Sequence, residues 1–155
     1  MPSHNFVVGR SGKVLVGQQF SINMPTQLNH LIIAARNKQE SAHFLAELLK
    51  LGPPVSAGHF LVVTLDNQVT LDYVETTIDF PPQHYAFLVS DDVFDSALSS
   101  IHERGIEHWA DPRRTKPNEI NTNDGGRGVY FLDPSGHYLE IITRPYGGGF
   151  GLASA

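Results

Sequence analysis

Three side chains that could bind a metal lie in apolar, strand-like segments of the chain: His30, His84 and Glu140. Burying an isolated ionised carboxylate is costly, so Glu140 needs a proton, a partner or a cation. Two imidazoles and one carboxylate form a facial ligand set that leaves positions open for water or substrate, as catalytic divalent metals require. Spacing alone leaves open that each histidine is an ordinary core or surface residue.

The elements that would position these residues occur twice. In the first half, an apolar strand over 28–35 is followed by an apolar stripe at helical spacing. Asn37 can cap this helix while Glu40 reaches back to it. Segments 60–65 and 68–75 then predict a hairpin that turns at 66–67.

The second half repeats this order. It has a strand over 84–90, a helix capped near Ser90 or Asp91, a short strand over 106–109, a loop over 111–127 and a hairpin of 129–132 with 138–143. Placing His30 over His84 brings Gly52 and Gly105 into register within one residue. The chain is therefore predicted to be a tandem duplication, with modules at about 28–75 and 83–143.

Composition excludes several classes of protein. With 11 Lys and Arg against 16 Asp and Glu, the net charge of -5 gives no broad footprint for nucleic acid or anionic membrane. Without cysteine there is no disulfide, thiolate nucleophile or cysteine zinc site, whereas eight histidines can supply nitrogen ligands. The apolar runs are too short to cross a bilayer, and the N-terminus lacks the charged segment followed by an apolar segment that a secretory signal has. These features predict a cytoplasmic protein. We expect one domain over 24–147, an N-terminal extension of unclear origin over 1–23 and a Gly-rich tail over 148–155.

Three segments carry a family resemblance: Leu-Asn-His-Leu-Ile-Ile at 28–33, Gln-His-Tyr-Ala-Phe at 83–87 and Tyr-Phe-Leu-Asp-Pro-Ser-Gly-His-Tyr-Leu-Glu-Ile at 130–141. With the repeated module, the chain resembles the vicinal oxygen chelate superfamily over about 26–145. That group includes glyoxalase I, fosfomycin resistance proteins, extradiol dioxygenases and bleomycin resistance proteins. The resemblance implies a glyoxalase-like α+β fold of tandem βαβββ modules that form open, barrel-like sheets.

The same resemblance implies a ligand set and an assembly. It makes His30, His84 and Glu140 the ligands of a divalent metal ion, which could be Mn, Fe, Ni or Zn. Short members often pair so that one site takes strands from both chains. It therefore implies a homodimer in which His30 shares its metal with Glu140 and His84 of the partner subunit.

Members of the superfamily differ at positions where this sequence either has or lacks the expected residue. Glyoxalase I would place a Glu on the last strand of the first module, where this chain has Asp72 as the nearest substitute. Residues 129–140 match the end of the extradiol dioxygenase signature, but Asn121, Thr122 and Asn123 stand where its acid/base histidine belongs. Bleomycin-binding relatives lack the metal ligands that are present here. The number of metal ligands and the length of the chain match those of fosfomycin resistance enzymes.

We therefore expect a metal-dependent enzyme that acts on a small substrate chelating the metal through adjacent oxygens. Lyase, isomerase or thiol- or water-adding transferase chemistry ranks above oxidation by an extradiol dioxygenase-like enzyme. The alternative is a non-enzymatic protein of the bleomycin-resistance type that sequesters a small molecule.

Other side chains complete the predicted site. Tyr130 and Tyr138 could donate protons or hydrogen bonds, although packing is their other common role. Arg127 and Arg144 could hold a substrate anion, although solvated surface is an equal alternative. The charge cluster of Arg113, Arg114 and Lys116 is predicted to be solvated, and His137 is also predicted to lie on the surface.

Overall fold

A computed structural model describes residues 26–146, so the predicted extension over 1–23 and tail over 148–155 lie outside the described residues. The elements are β1 (His30–Ala35), α1 (Lys38–Leu48), β2 (Val55–Ala57), β3 (Phe60–Thr64), β4 (Thr70–Glu75), β5 (His84–Leu88), α2 (Asp91–Glu103), β6 (His108–Trp109), β7 (Gly128–Leu132) and β8 (Tyr138–Ile142). Within the described range, no helix has the length and apolar character needed to span a membrane.

The strands form two mixed four-stranded sheets of identical topology, β1-β4-β3-β2 and β5-β8-β7-β6. In each sheet the first strand of the module pairs parallel to the last strand, and the remaining neighbours are antiparallel. Neither sheet closes on itself, so β1 and β5 are edge strands. This arrangement confirms the predicted α+β fold of two βαβββ modules.

The first module differs from the sequence pattern at several points; for example, β1 begins at His30 rather than at 28 and β3 ends at Thr64 rather than at 65. Hydrophobic alternation does not predict β2, because all three of its residues are exposed. Strand β4 begins at Thr70 rather than at 68, because Gln68 takes a left-handed conformation with φ 69° that ends the turn.

Local capping explains where the helices begin. The Asn37 side chain accepts a hydrogen bond from the backbone N–H of Glu40 at 3.1 Å, and the Ser90 hydroxyl accepts one from Val93 N–H at 3.3 Å. Each cap has extended backbone and satisfies an amide that the first helical turn leaves unpaired. The predicted caps at Asn37 and Ser90 are therefore present, whereas among the described residues no hydrogen bond joins the Glu40 side chain to the Asn37 N–H.

One apolar core covers one face of each sheet. On β7 and β8 the buried side chains that join the core are Val129, Phe131, Leu139 and Ile141. They share it with Phe94, Ala97 and Ile101 of α2 and with residues of the first module. The rings of Phe44 and Phe131 lie 6.2 Å apart and join the two modules. Because strand side chains alternate, Tyr130, Tyr138 and Glu140 are left on the opposite face.

The β7–β8 turn inserts between the modules, which makes the prediction of a surface His137 wrong. The His137 side chain is buried at 1% exposure and its ring stacks 5.4 Å from that of Phe80. The Asp133 carboxylate accepts hydrogen bonds from the backbone N–H groups of Ser135 and His137, at 2.9 and 2.7 Å, and so shapes the turn. The turn residues thus serve module packing.

Candidate metal centre

The centre is built around Glu140 and His84, which come from neighbouring strands. In the parallel pairing of β5 with β8, His84 lies opposite Tyr138 and Ala86 lies opposite Glu140. The His84 Nε2 atom is 3.2 Å from Glu140 Oε2. The Glu140 side chain is only 2% exposed whereas that of His84 is 49% exposed. A buried acid therefore meets an accessible imidazole.

One phenol binds the other oxygen of this carboxylate, and a second phenol contacts the first. The Tyr146 hydroxyl donates to Glu140 Oε1, and the Tyr130 hydroxyl lies 3.2 Å from that of Tyr146. Tyr130 stands directly opposite Glu140 in the β7–β8 pairing. Burial first, and then the neighbouring Glu140 carboxylate, raise the pKa of both phenols above the usual value. Both therefore stay protonated and act as donors at neutral pH.

The donor set fits a divalent metal ion. Ligand bonds of about 2.0–2.2 Å at tetrahedral or octahedral angles place two ligand atoms about 3–3.5 Å apart, and the observed separation of 3.2 Å lies in this range. In the described part of the chain, the ion-pair partner of Glu140 is the His84 imidazole, with no lysine or arginine beside it. A buried carboxylate without a fixed positive charge is suited to a cation.

His30 lies on the other sheet. It stands opposite Thr70 at the start of β1, and its Nδ1 is 2.8 Å from Asn29 Oδ1. Between residues 26 and 146, no group of three His, Asp or Glu side chains is close enough to hold a metal within one chain. Asp72 shares the His30 face of this sheet and has a buried Oδ1 atom without a hydrogen-bond partner. One chain thus brings together two of the three predicted ligands.

A groove of about 560 Å³ separates the edge strands β1 and β5. Its lining includes Leu28 and Leu31 on one side and His84 and Ala86 on the other. The exposed imidazole of the candidate pair therefore borders a groove between the two modules.

Aromatic side chains cover the sheet face beside Glu140. Trp109 lies opposite Tyr130 in the β6–β7 pairing, and the His84 and Tyr130 rings stack at 6.0 Å. The Arg114 guanidinium lies 5.4 Å from the Trp109 ring centre and 5.6 Å from that of Tyr138. Cations at such distances are attracted to aromatic faces. Arg113, Arg114 and Lys116 are exposed as predicted, and the guanidinium of Arg114 also lies over two aromatic rings of the candidate site.

The structure does not bring Arg127 or Arg144 to the His84–Glu140 pair. The Arg127 guanidinium binds the carboxylates of Asp91 and Asp95 and lies 4.6 Å from the Phe94 ring centre. Arg144 lies 3.6 Å from the same Asp91. Both arginines thus fasten the first turns of α2 to the second sheet.

Asn121 occupies a position at which the dioxygenase signature expects its histidine, and here its side chain has a structural role. Its Nδ2 donates to the carbonyl of Ala110 at 3.0 Å. It also packs so closely on Gly128 that a Cβ there would meet the Asn121 amide at 2.8 Å. Glycine at 128 therefore permits this contact. The amide at 121 supports the loop before β7.

Local sequence patterns do not indicate a site role for two of the candidate residues. Tyr146 follows the last strand in a segment without hydrophobic periodicity, so no local pattern points to it. Arg114 stands in a charged loop, although its place five residues after Trp109, with an Asp at 111, was a weak signal of a structured turn.

Comparisons with known proteins support the fold and identify a family. The family model described as Glyoxalase/Bleomycin resistance protein/Dioxygenase superfamily matches residues 27–141. The glutathione transferase FosA of Serratia marcescens is 34% identical over 125 residues, which cover 76% of this chain and 81% of that protein. The solved structure named oxidase ChaP-H1 is 55% identical with a TM-score of 0.78, covering 80% of this chain and all of that chain. Oxidase ChaP-H2 is 54% identical with a TM-score of 0.77, covering 80% of this chain and 98% of the other.

Proposed function

We propose that this chain, which belongs to the Glyoxalase/Bleomycin resistance protein/Dioxygenase superfamily, is a metal-dependent oxidase of a small oxygenated molecule. The proposal rests on the buried Glu140 carboxylate facing His84 at the spacing of two metal ligands, in a chain 55% identical to a protein named an oxidase. An oxidase transfers electrons from its substrate to dioxygen. The substrate would approach the accessible side of His84.

His84, Glu140 and His30 would hold the metal. Two histidines and one carboxylate are the set that non-haem iron oxygenases use, and zinc has no redox chemistry. Among Mn, Fe, Ni and Zn, we therefore propose Fe²⁺. A bound Fe²⁺ would supply a redox centre and a Lewis acid for adjacent substrate oxygens.

The third ligand, His30, would come from a second copy of the chain. Both β1 and β5 are edge strands, and each exposes a large apolar side chain, Ile32 at 59% and Leu88 at 61%. Exposed apolar edges favour association with another chain. A homodimer that sets β1 of one chain near β5 of the other would cover these residues and bring His30 to the candidate pair.

The chain's own residues would prepare the site for substrate. Tyr130 and Tyr146 are neutral donors, which suits them to hold charge on Glu140 rather than to remove a proton from substrate. The Arg114 guanidinium, which lies over the Trp109 and Tyr138 rings, would pair with a substrate anion. Arg127 and Arg144 are less suited to that role, because acidic partners already engage them.

The oxidase proposal reverses the ranking expected from the sequence. The sequence favours lyase, isomerase or transferase chemistry because the acid/base histidine of dioxygenases is missing. Identities of 55% and 54% to two oxidases outweigh that argument. Thiol transfer remains the second candidate, because the glutathione transferase FosA shares 34% identity with the chain. Sequestration without chemistry is disfavoured by the retained His84–Glu140 pair.

Oxygen uptake tests the proposal. Tag-free, metal-free protein is loaded with Fe²⁺ under anaerobic conditions and mixed with a panel of catechols and hydroquinones in aerated buffer. We expect enzyme-dependent oxygen consumption that disappears without Fe²⁺ and in Glu140→Gln. In parallel, Mn²⁺-loaded protein is given glutathione and an epoxide. Conjugate formation without oxygen uptake by the iron form would overturn the oxidase proposal in favour of thiol transfer.

A further inference from the structure

We infer that Tyr146 is a positioning residue for Glu140. The Tyr146 phenol binds Oε1 of the Glu140 carboxylate and leaves Oε2 as the single carboxylate oxygen that faces His84. The inference rests on the proposed function, because it assumes that His84 and Glu140 bind a metal. It concerns a residue beyond the last strand, outside the three predicted ligands and the two predicted tyrosines.

A glutamate carboxylate can bind a metal through one oxygen or both, and its terminal torsion is broad. Burial alone therefore does not choose which oxygen is presented. Here the two oxygens of Glu140 have different partners: Oε1 accepts the Tyr146 hydroxyl, and Oε2 lies 3.2 Å from His84 Nε2. The hydroxyl fixes the carboxylate rotation and occupies one oxygen. Glu140 would then bind the metal through Oε2.

Tyr130 fixes Tyr146 in turn. Since the Tyr146 proton is donated to Glu140, the 3.2 Å contact between the two phenols requires Tyr130 to donate to the Tyr146 oxygen. Tyr130 is a buried strand residue at 8% exposure, whereas Tyr146 follows the end of β8 and is 40% exposed. A rigid strand thus anchors the hydroxyl that orients the carboxylate. Hydrogen-bonding partners of metal ligands in other proteins contribute roughly 10–100-fold to metal affinity.

Cobalt binding by the metal-free protein tests this role without any substrate. Co²⁺ is titrated into tag-free wild type and Tyr146→Phe, with calorimetry for affinity and the visible absorption bands for coordination geometry. We expect Tyr146→Phe to bind Co²⁺ roughly 10–100-fold more weakly, with shifted bands. Tyr130→Phe should lose less, and the double variant should lose no more than Tyr146→Phe, because both hydroxyls act through one contact.

Tyr85→Phe is the matched control. Tyr85 lies on β5 beside His84, but its ring packs edge-on against His137 on the other face of the sheet. This variant should keep the wild-type Co²⁺ affinity and spectrum. Loss of the hydroxyl leaves the buried Glu140 Oε1 without its donor, so the metal-free melting temperature of Tyr146→Phe should fall, and Co²⁺ binding is compared at a temperature at which both proteins are folded.

The outcomes separate the inference from the proposed function. If wild type binds no Co²⁺, Fe²⁺ or Mn²⁺, the metal-dependent function itself fails. If wild type binds Co²⁺ and Tyr146→Phe binds it with equal affinity and the same spectrum, only the positioning role is overturned. A loss of metal-free stability with an unchanged spectrum would likewise overturn it, because Tyr146 would then support the fold alone.

Discussion

The His137 imidazole donates from Nε2 to the backbone carbonyl of Ala34, 2.8 Å away and 103 positions earlier in the chain. The direction of this bond is fixed, because Nδ1 of the same ring accepts the backbone N–H of Gln83 at 3.0 Å and so carries no proton. Ala34 belongs to β1 of the first module, and His137 precedes β8 of the second. One neutral imidazole thus joins the strand that carries His30 to the strand that carries Glu140.

The first prediction concerns this connection. His137→Ala removes two buried hydrogen bonds and leaves a cavity beside Phe80, so the free energy of unfolding should fall by about 2–4 kcal/mol. Urea denaturation followed by circular dichroism measures the change. His43→Ala is the control, because His43 is an exposed histidine of α1, and its effect should be within about 0.5 kcal/mol. Equal effects of the two substitutions would show that His137 does not connect the modules.

The second prediction concerns the charge on Glu140. Glu140→Gln keeps the side-chain shape but removes a buried charge that lacks a fixed cation, so the metal-free melting temperature should be equal to or above that of wild type. Metal at about 100 times its dissociation constant contributes about 2.7 kcal/mol, which should raise the wild-type melting temperature by about 5–10 °C. The variant should show no such rise. A metal-induced rise that persists in Glu140→Gln would remove this carboxylate from the ligand set.

The third prediction decides whether the site is shared between chains. His30→Ala and the double variant His84→Ala, Glu140→Ala should each lose tight metal binding. Co-expressed and purified as a mixed dimer, they should recover one metal per dimer, because one of the two shared sites then has all three ligands. Elemental mass spectrometry of the purified mixed dimer measures the number of metal ions per dimer. A site formed within one chain predicts no recovery, and two tags of different charge allow the mixed dimer to be isolated.

The fourth prediction concerns pH and the loop that presents Arg114. The Asp111 carboxylate accepts backbone N–H groups of Arg113, Thr115 and Lys116 at 2.8 to 2.9 Å. Slight desolvation raises the pKa of Asp111, but hydrogen bonds from Thr115, Lys116 and Arg113 outweigh it and hold the pKa below the usual value of 3.8. A carboxylate with a lowered pKa stabilises the folded loop above about pH 4, and this contribution is lost as pH falls through the folded-state pKa.

Trp109 reports on this loop, since it is the one tryptophan in the sequence and the Arg114 guanidinium lies 5.4 Å from its ring centre. Its fluorescence should change below about pH 4, while far-ultraviolet circular dichroism still shows a folded protein. Asp111→Asn should remove this transition because the amide does not titrate. A transition at the same pH in the variant would mean that another group controls the loop.

Local patterns in the sequence were sufficient to predict the two modules and which strand side chains point to the core. Helical spacing after Asn37 and after Ser90 predicted both helices, because caps and amphipathic periods are short-range signals. Strand alternation placed Glu140 on the face opposite Leu139 and Ile141, and the duplication aligned His30 with His84. The sequence by itself therefore determined the fold and identified the three ligand candidates.

Contacts between distant segments were decided only by the tertiary structure. Alternation indicated that His137 is exposed, but the neighbouring module buries it. Arg127 looked free to bind an anion, but α2 places two acidic residues against its guanidinium. Tyr146 has no pattern around it, yet its hydroxyl reaches Glu140. Such contacts depend on how the modules and loops pack against each other. This packing buries residues that are far apart in the chain, so the periodicity of a local segment does not reveal it.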